Sequence, residues 1–321
     1  MEKLRVGVIG LGSIFSRVMT DFHNARNCEL YAVAARDIGR ARAAAAKYGA
    51  KRAFGSYEEL AECPEVDMVY VATPHSFHRS HALMCLAHGK HVLCEKAFAM
   101  NGQEAREMIG FAREKGLFIM EAMWTRFMPA MEKLRQLYAE GELGEIRHIT
   151  ADFGYAAQYD PKSRIFAPEL GGGALMDVGI YPLSICAMLL GTEAEAVQSQ
   201  CVLAPSGVDV RTSMQLRYAS GATAQLMAAT DVNGTSRMTI YATRAMVEIP
   251  DFWHATRLII NGNEMKFPDE NEGHHHQFVH AAKMIAAGRT DSDVMPAEET
   301  IRLMDIMTGV RLAHGARYPG E

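Results

Sequence analysis

The chain has 321 residues, 49% hydrophobic and 22% charged, which suits a folded globular protein large enough for two domains. Its formal net charge of −5 argues against nucleic acid or an anionic membrane as the main partner. No apolar run is expected to reach the ~20 residues of a membrane helix, and a first strand from Leu4 leaves no room for a signal peptide.

Leu4 to Ile9 reads as a buried strand, and Gly10-Leu11-Gly12-Ser13 then opens a helical stretch to about Arg26. Strand, glycine turn and helix are the context a dinucleotide fingerprint requires. Gly10 makes the tight turn and Gly12 lets the backbone approach a pyrophosphate. Ser13 and Ile14 then sit at a helix N-terminus, which favours anions. A glycine turn without a ligand is the plainer alternative. The third fingerprint position is Phe15, not glycine, so the helix must pack differently on its strand. Glu29 to Ala35 is the second strand, followed by Arg36 and Asp37. At this place an acidic residue binds the ribose 2′-hydroxyl of NAD, whereas an arginine accommodates the 2′-phosphate of NADP. Asp37 also reads as the N-cap of a helix from Ile38 to Tyr48 that closes at Gly49. Arg36 is then left to meet a phosphate, which favours NADP, with NAD as the alternative.

Next come a strand around Arg52 to Phe54, a helix from Ser56, a strand from Asp67 to Ala72 and a helix from Ser76 to His88. A strand from Lys90 to Cys94, a helix from Asn101 to Lys115 and a strand from Leu117 to Glu121 follow. Six strands alternating with helices predict an α/β, doubly wound (Rossmann) parallel sheet over residues 1–122. The strand ends at Thr73-Pro74-His75 and Glu95-Lys96 should line one crevice. A lysine there is partly desolvated, which lowers an ammonium pKa and makes Lys96 a proton donor and acceptor near neutral pH. A solvated strand-end lysine is the rival reading. His78 and His81 lie three apart, but no carboxylate or cysteine completes a metal set, so they read as solvated or crevice histidines.

After Glu121 the pattern changes. A helix from Met128 to about Glu140 precedes strand-like runs at Ile146 to Tyr155, Val197 to Leu203, Val210 to Tyr218, Ala222 to Ala228, Ser236 to Tyr241 and Leu258 to Asn261. These predict a C-terminal α+β domain, residues 123–321, with an open, mainly antiparallel sheet. Its exposed face, with apolar residues between Val210 and Ala228, is a candidate surface for a homodimer or homotetramer. Gly171-Gly172-Gly173 precedes Asp177 and Tyr181, which share a face if helical. They read either as an acid/base or hydroxyl-binding pair, or as a helix start with a core tyrosine. Pro182 to Leu190 is helical, with Gly191 as C-cap. His274-His275-His276 reads as the solvated start of a helix from His276 to Ala287 in preference to a metal site. A last helix, Pro296 to His314, should pack back on the body. The cysteines (Cys28, Cys63, Cys85, Cys94, Cys186, Cys201) lack CxxC spacing and predict reduced thiols in a cytoplasmic protein.

These pieces together resemble the Gfo/Idh/MocA oxidoreductases. The matching residues are Val8-Ile9-Gly10-Leu11-Gly12, Ala72-Thr73-Pro74 with His78 four beyond, and Glu95-Lys96. Glu121-Ala122-Met123-Trp124-Thr125-Arg126-Phe127 and the Leu170 to Pro182 segment look most like the dimeric dihydrodiol dehydrogenase branch. The resemblance implies hydride transfer between a nicotinamide cofactor and a secondary alcohol or carbonyl of a sugar, polyol or cyclic trans-diol. The cofactor is expected along Gly10, Gly12, Ser13, Ile14, Arg36, Thr73, Pro74, His75, His78, Glu95 and Lys96, and no metal is expected. By the same resemblance Lys96 is the catalytic acid/base, Asp177 and Tyr181 flank the substrate, and Trp124, Arg126 and Phe153 wall its pocket. Ala97 stands where proline usually follows the lysine, and Tyr181 where many relatives carry histidine. A non-catalytic NADP-sensing regulator on the same fold is the alternative, against which the joint presence of Lys96, Asp177 and Tyr181 argues.

Overall fold

The computed structural model describes residues 3–269 and 272–321. The chain forms two compact units: Met1–Trp124 with Asn271–Ile301, and Thr125–Glu270 with Arg302–Glu321.

The first unit runs β1 (Leu4–Ile9), α1 (Ser13–Asp21), β2 (Cys28–Ala34), α2 (Ile38–Tyr48), β3 (Arg52–Phe54), α3 (Tyr57–Glu62), β4 (Met68–Val71), α4 (His78–Ala87), β5 (His91–Glu95), α5 (Gly102–Lys115) and β6 (Ile119–Ala122). The second runs α6 (Pro129–Ala139), β7 (Ile146–Gly154), α7 (Ile180–Leu190), β8 (Ala194–Leu203), β9 (Asp209–Tyr218), β10 (Thr223–Ala229), β11 (Met238–Ala242), β12 (Met246–Ile249), β13 (Arg257–Ile260) and β14 (Asn263–Lys266). The chain closes with α8 (His275–Ala286) and α9 (Ala297–Ala313).

The first sheet has the order β3-β2-β1-β4-β5-β6, and all its pairs are parallel. Strand order reverses between β1 and β4, and a ligand crevice lies outside the carboxyl ends at such a switch point. Local signals set α2 as expected: Asp37 accepts from the Arg40 amide at 2.9 Å, and Gly49 closes the helix at φ 79°. Phe15 finds its explanation here. Its ring is buried and meets Tyr48 edge-on at 5.1 Å, so an aromatic pair does the work of the missing glycine in seating α1.

The chain's tail departs from expectation. Residues 271–301 join the first unit, not the second domain. The apolar stripe of α8 explains this: Phe278 is fully buried against Phe22 and Tyr70, at 5.0 and 5.2 Å between ring centroids. The histidine run is only partly solvated: His275 and His276 are half-buried. His274 is 1% exposed, with its ring 4.2 Å from that of Trp124.

The second sheet has the order β14-β13-β12-β11-β7-β10-β9-β8. It is antiparallel except for the parallel β7–β10 pair. Helix α7 is buried along almost its whole length. The segment Pro168–Leu190 is in fact long and apolar enough to cross a membrane by length and composition, contrary to expectation. Its most apolar stretch is 89% buried, as in the core helix of a globular unit. The sheet's outer face is also different from the expected one. Val210, Met214, Leu216, Ala224, Leu226 and Ala228 are buried, because strand alternation turns them inward. Ser213, Gln215 and Gln225 are left outside, and they line an open depression with Thr150 and Thr239.

Candidate functional site

The crevice at the β1–β4 switch point begins at Gly10, where φ is 89°. A Cβ here would stand 2.6 Å from the Ala72 carbonyl carbon and oxygen. Only glycine lets this turn lie so close to the end of β4. At Gly12, by contrast, a Cβ would meet nothing within 4 Å, so the backbone faces open space. Helix α1 starts at Ser13 with no acidic residue in its first turn and no side-chain cap. Its N-terminal amides are therefore available to an anion. Arg36 is exposed. Arg40 reaches from α2 to the Leu11 carbonyl, with Nη2 at 3.1 Å. A concave glycine turn, a bare helix N-terminus and neighbouring arginines fit the pyrophosphate and ribose of a dinucleotide.

The ends of β4 and β5 are tied together by histidines. His78 is fully buried, with Nε2 2.7 Å from the Thr73 carbonyl oxygen and Nδ1 3.0 Å from that of Ala97. Burial, seconded by the charge of His75, pushes its pKa down to about 3 against the pull of the carbonyls. Burial thus keeps the His78 ring neutral, with a single N–H to donate to one of these two carbonyls, where a solvated or cofactor-facing ring was expected. His75 Nε2 lies 3.1 Å from the Lys96 carbonyl oxygen and 3.2 Å from the Ala97 amide nitrogen. The Lys96–Ala97 peptide bond is cis. The Thr73 hydroxyl pairs with His81 Nδ1 at 3.0 Å. Glu95 is buried, receives the Tyr70 hydroxyl and accepts the Lys96 amide at 3.2 Å. Burial raises its pKa, with Tyr70 and Lys96 opposing. Lys96 itself is half-buried at the end of this frame.

The second unit carries its own cluster. A π-helical turn, Leu175–Gly179, runs into α7 and bears Asp177, whose side chain is 8% exposed. Arg164 Nη1 donates to Asp177 Oδ1 at 2.8 Å, and the Tyr155 hydroxyl donates to Oδ2. Burial first, then Asp177, raises the Tyr155 pKa, so the phenol stays a donor. Tyr181 is buried and meets Phe153 edge-on at 5.4 Å. Phe153 stacks on Trp253 at 5.5 Å. Beneath the turn, fully buried Asp209 accepts from the Leu175 amide at 2.8 Å and the Thr212 hydroxyl at 2.7 Å. Gly173 sits at φ 122°, and a Cβ there would come within 2.3 Å of Asp209 Oδ1.

The family model described as the oxidoreductase family with NAD-binding Rossmann fold matches residues 4–123. The Gfo/Idh/MocA C-terminal domain matches residues 131–248. The trans-1,2-dihydrobenzene-1,2-diol dehydrogenases of Mus musculus and Homo sapiens are each 34% identical, with 99% of both chains covered. The chain belongs to the Gfo/Idh/MocA oxidoreductase family. Among solved members, it is similar to the aldose-aldose oxidoreductase from Caulobacter crescentus complexed with glycerol. That likeness has 27% identity and a TM-score of 0.88 over 98% of this chain and 99% of the other. The 3-ketoreductase from Actinomadura kijaniata, in complex with NADP and TDP-benzene, gives 26% identity and a TM-score of 0.86 over 99% of each chain.

Two residues expected at a Gfo/Idh/MocA substrate pocket are engaged elsewhere. Arg126 is 1% exposed, and its guanidinium holds Ser184 of α7, with Nε 2.8 Å from the hydroxyl. It braces the helix that carries Tyr181, and its side chain is shut off from solvent. Trp124 is buried against His274. Sequence reading missed Tyr155, Arg164, Trp253, Asp209 and Arg40. Tyr155 was legible, because it lies two residues beyond Phe153 and so shares its strand face. The others depend on loops or on pairings between residues far apart in the chain.

Proposed function

We propose that the protein is a nicotinamide-dependent dehydrogenase that moves a hydride between the cofactor and a CH–OH carbon of a sugar, polyol or cyclic trans-diol. The observation that carries this reading is the setting of Lys96. It stands half-buried at the carboxyl end of β5, one strand from the switch point, with its backbone clasped by His75. The names of the relatives, dihydrodiol dehydrogenases and sugar oxidoreductases, support the same substrate class.

Gly10, Gly12, Ser13 and Ile14 would hold the pyrophosphate, and Thr73, Pro74 and the Glu95–Lys96 strand end would border the nicotinamide. A bound nicotinamide supplies the hydride chemistry. Lys96 Nζ takes the proton of the reacting hydroxyl in oxidation and returns it in reduction. Tyr181 hydrogen-bonds the reacting or adjacent oxygen, and Phe153 and Trp253 offer apolar faces to a ring. NADP is the preferred cofactor on this reading. Asp37 is occupied in capping α2, while Arg36 is exposed.

The test is absorbance at 340 nm with NADP and NAD against a panel of sugars and trans-diols. Tight nucleotide binding with no turnover on any member of the panel would favour the sensing-regulator alternative instead.

A further inference from the structure

The cluster around Asp177 has an order of dependence that its residue types alone do not reveal. Asp177 is nearly closed to solvent, whereas the Arg164 side chain is 53% exposed. One corner of the guanidinium is anchored on Asp177 Oδ1, and Tyr155 takes the other carboxylate oxygen. The remaining Arg164 N–H donors meet no acceptor among the described residues. Tyr155 and Tyr181 both lie within its electrostatic reach.

The backbone beside Arg164 is pinned. The Gly173 amide donates to the Ile165 carbonyl at 2.9 Å, and the Gly172 amide to that of Ala167 at 3.1 Å. A Cβ on Gly172 would stand 2.6 Å from the Ile165 oxygen. The segment bearing Arg164 is therefore seated directly on the glycine turn that leads to Asp177. The pair thus joins a buried carboxylate to a guanidinium whose other side faces solvent.

We propose that Arg164 is a specificity-determining residue of the Asp177 site, holding a neutral substrate by two adjacent hydroxyl oxygens. The inference rests on the alcohol-oxidising function argued above and narrows it. A guanidinium is a planar fork that matches paired oxygens. Its charge is already balanced by Asp177, so the pair offers donors without net positive charge. A carboxylate or phosphate arriving at Arg164 would be repelled by Asp177 directly behind it. Neutral vicinal hydroxyls face no such penalty.

The experiment compares wild type with Arg164→Met and Arg164→Lys, using trans-cyclohexane-1,2-diol, cyclohexanol, D-glucose and D-gluconate. Circular dichroism and the thermal midpoint, expected near the wild-type values, verify that each variant is folded. Arg164→Met should raise KM for the diol by ~10-fold or more, the scale of a lost hydrogen bond to a charged group, with kcat little changed. The KM for cyclohexanol should hold, Arg164→Lys should recover part of the loss, and wild type should favour glucose over gluconate. Equal effects on diol and cyclohexanol, no effect on either, or a preference for gluconate would overturn the inference. Diol binding to the NADP complex, measured by calorimetry, separates the two levels. If nothing is oxidised but Arg164→Met still weakens diol binding, the dehydrogenase reading fails and this inference stands. If turnover proceeds without regard to Arg164, the reverse holds.

Discussion

At the end of β5, Lys96 is the residue we propose for proton transfer, because its titratable neighbours are already committed. His78 is buried and neutral, with its one N–H committed to a backbone carbonyl. His75 holds the Lys96–Ala97 backbone. The Glu95 carboxyl is buried and bonded to Tyr70. Lys96→Met should therefore leave nucleotide affinity intact and reduce turnover by ~10²-fold or more, the scale of acid/base catalysis. Fluorescence titration and steady-state rates on the same preparation check both halves, and wild-type turnover would refute the role. Arg36 makes a different prediction. Its replacement by alanine should raise KM for NADP by about 10-fold or more, the equivalent of one charge-assisted hydrogen bond, and leave KM for NAD nearly unchanged. A parallel change for both cofactors would mean that Arg36 does not read the 2′-phosphate.

Elements place these residues through their ends, and ends are where local sequence is most informative. Asp37 and Gly49 bound α2 as their residue types predict, because capping is decided by a few neighbouring atoms. The glycine turn after β1 is equally local. Gly10→Ala would force a Cβ into the Ala72 carbonyl at a positive φ, a conformation costing a non-glycine residue on the order of 1–3 kcal/mol before any clash. We expect thermal unfolding to fall by several degrees and nucleotide binding to be lost. An alanine variant that binds NADP normally would contradict the close approach described here. The Asp177 turn was less legible. Its π-helical stretch (Leu175–Gly179) rests on Asp209, more than thirty residues away in sequence, and nothing in Leu170 to Pro182 announces that support.

For the whole molecule, pH is the broadest probe. In the fold, burial pushes the His78 pKa down to about 3 from its ordinary value of 6.5. Below 6.5 the unfolded chain takes up this proton and the folded chain does not. Stability should therefore be level with respect to His78 above pH 6.5 and decline as pH falls toward about 3. Denaturation midpoints of wild type and His78→Gln across this range give the check: the variant's slope should be shallower, and identical slopes would show that the buried ring is not the source. Self-association is expected through the outer face of the large sheet, as in the sequence reading, but on polar complementarity. Glutamates introduced at both Gln215 and Gln225 should shift the mass by light scattering toward the monomer. An unchanged mass would exclude this face.

The amino-acid order by itself determined the alternating strands and helices of the first sheet, the glycine fingerprint, the caps of α2 and the family resemblance. Each of these depends on periodicity or on residues only a few positions apart. Tertiary structure alone decided that α8 completes the first unit, that Phe15 pairs with Tyr48, that Arg126 braces α7 and that Arg164 leans on Asp177. Those outcomes are burial and pairing energies between segments distant along the chain. The same side chain can serve as a pocket wall or a core brace until its partners are in place.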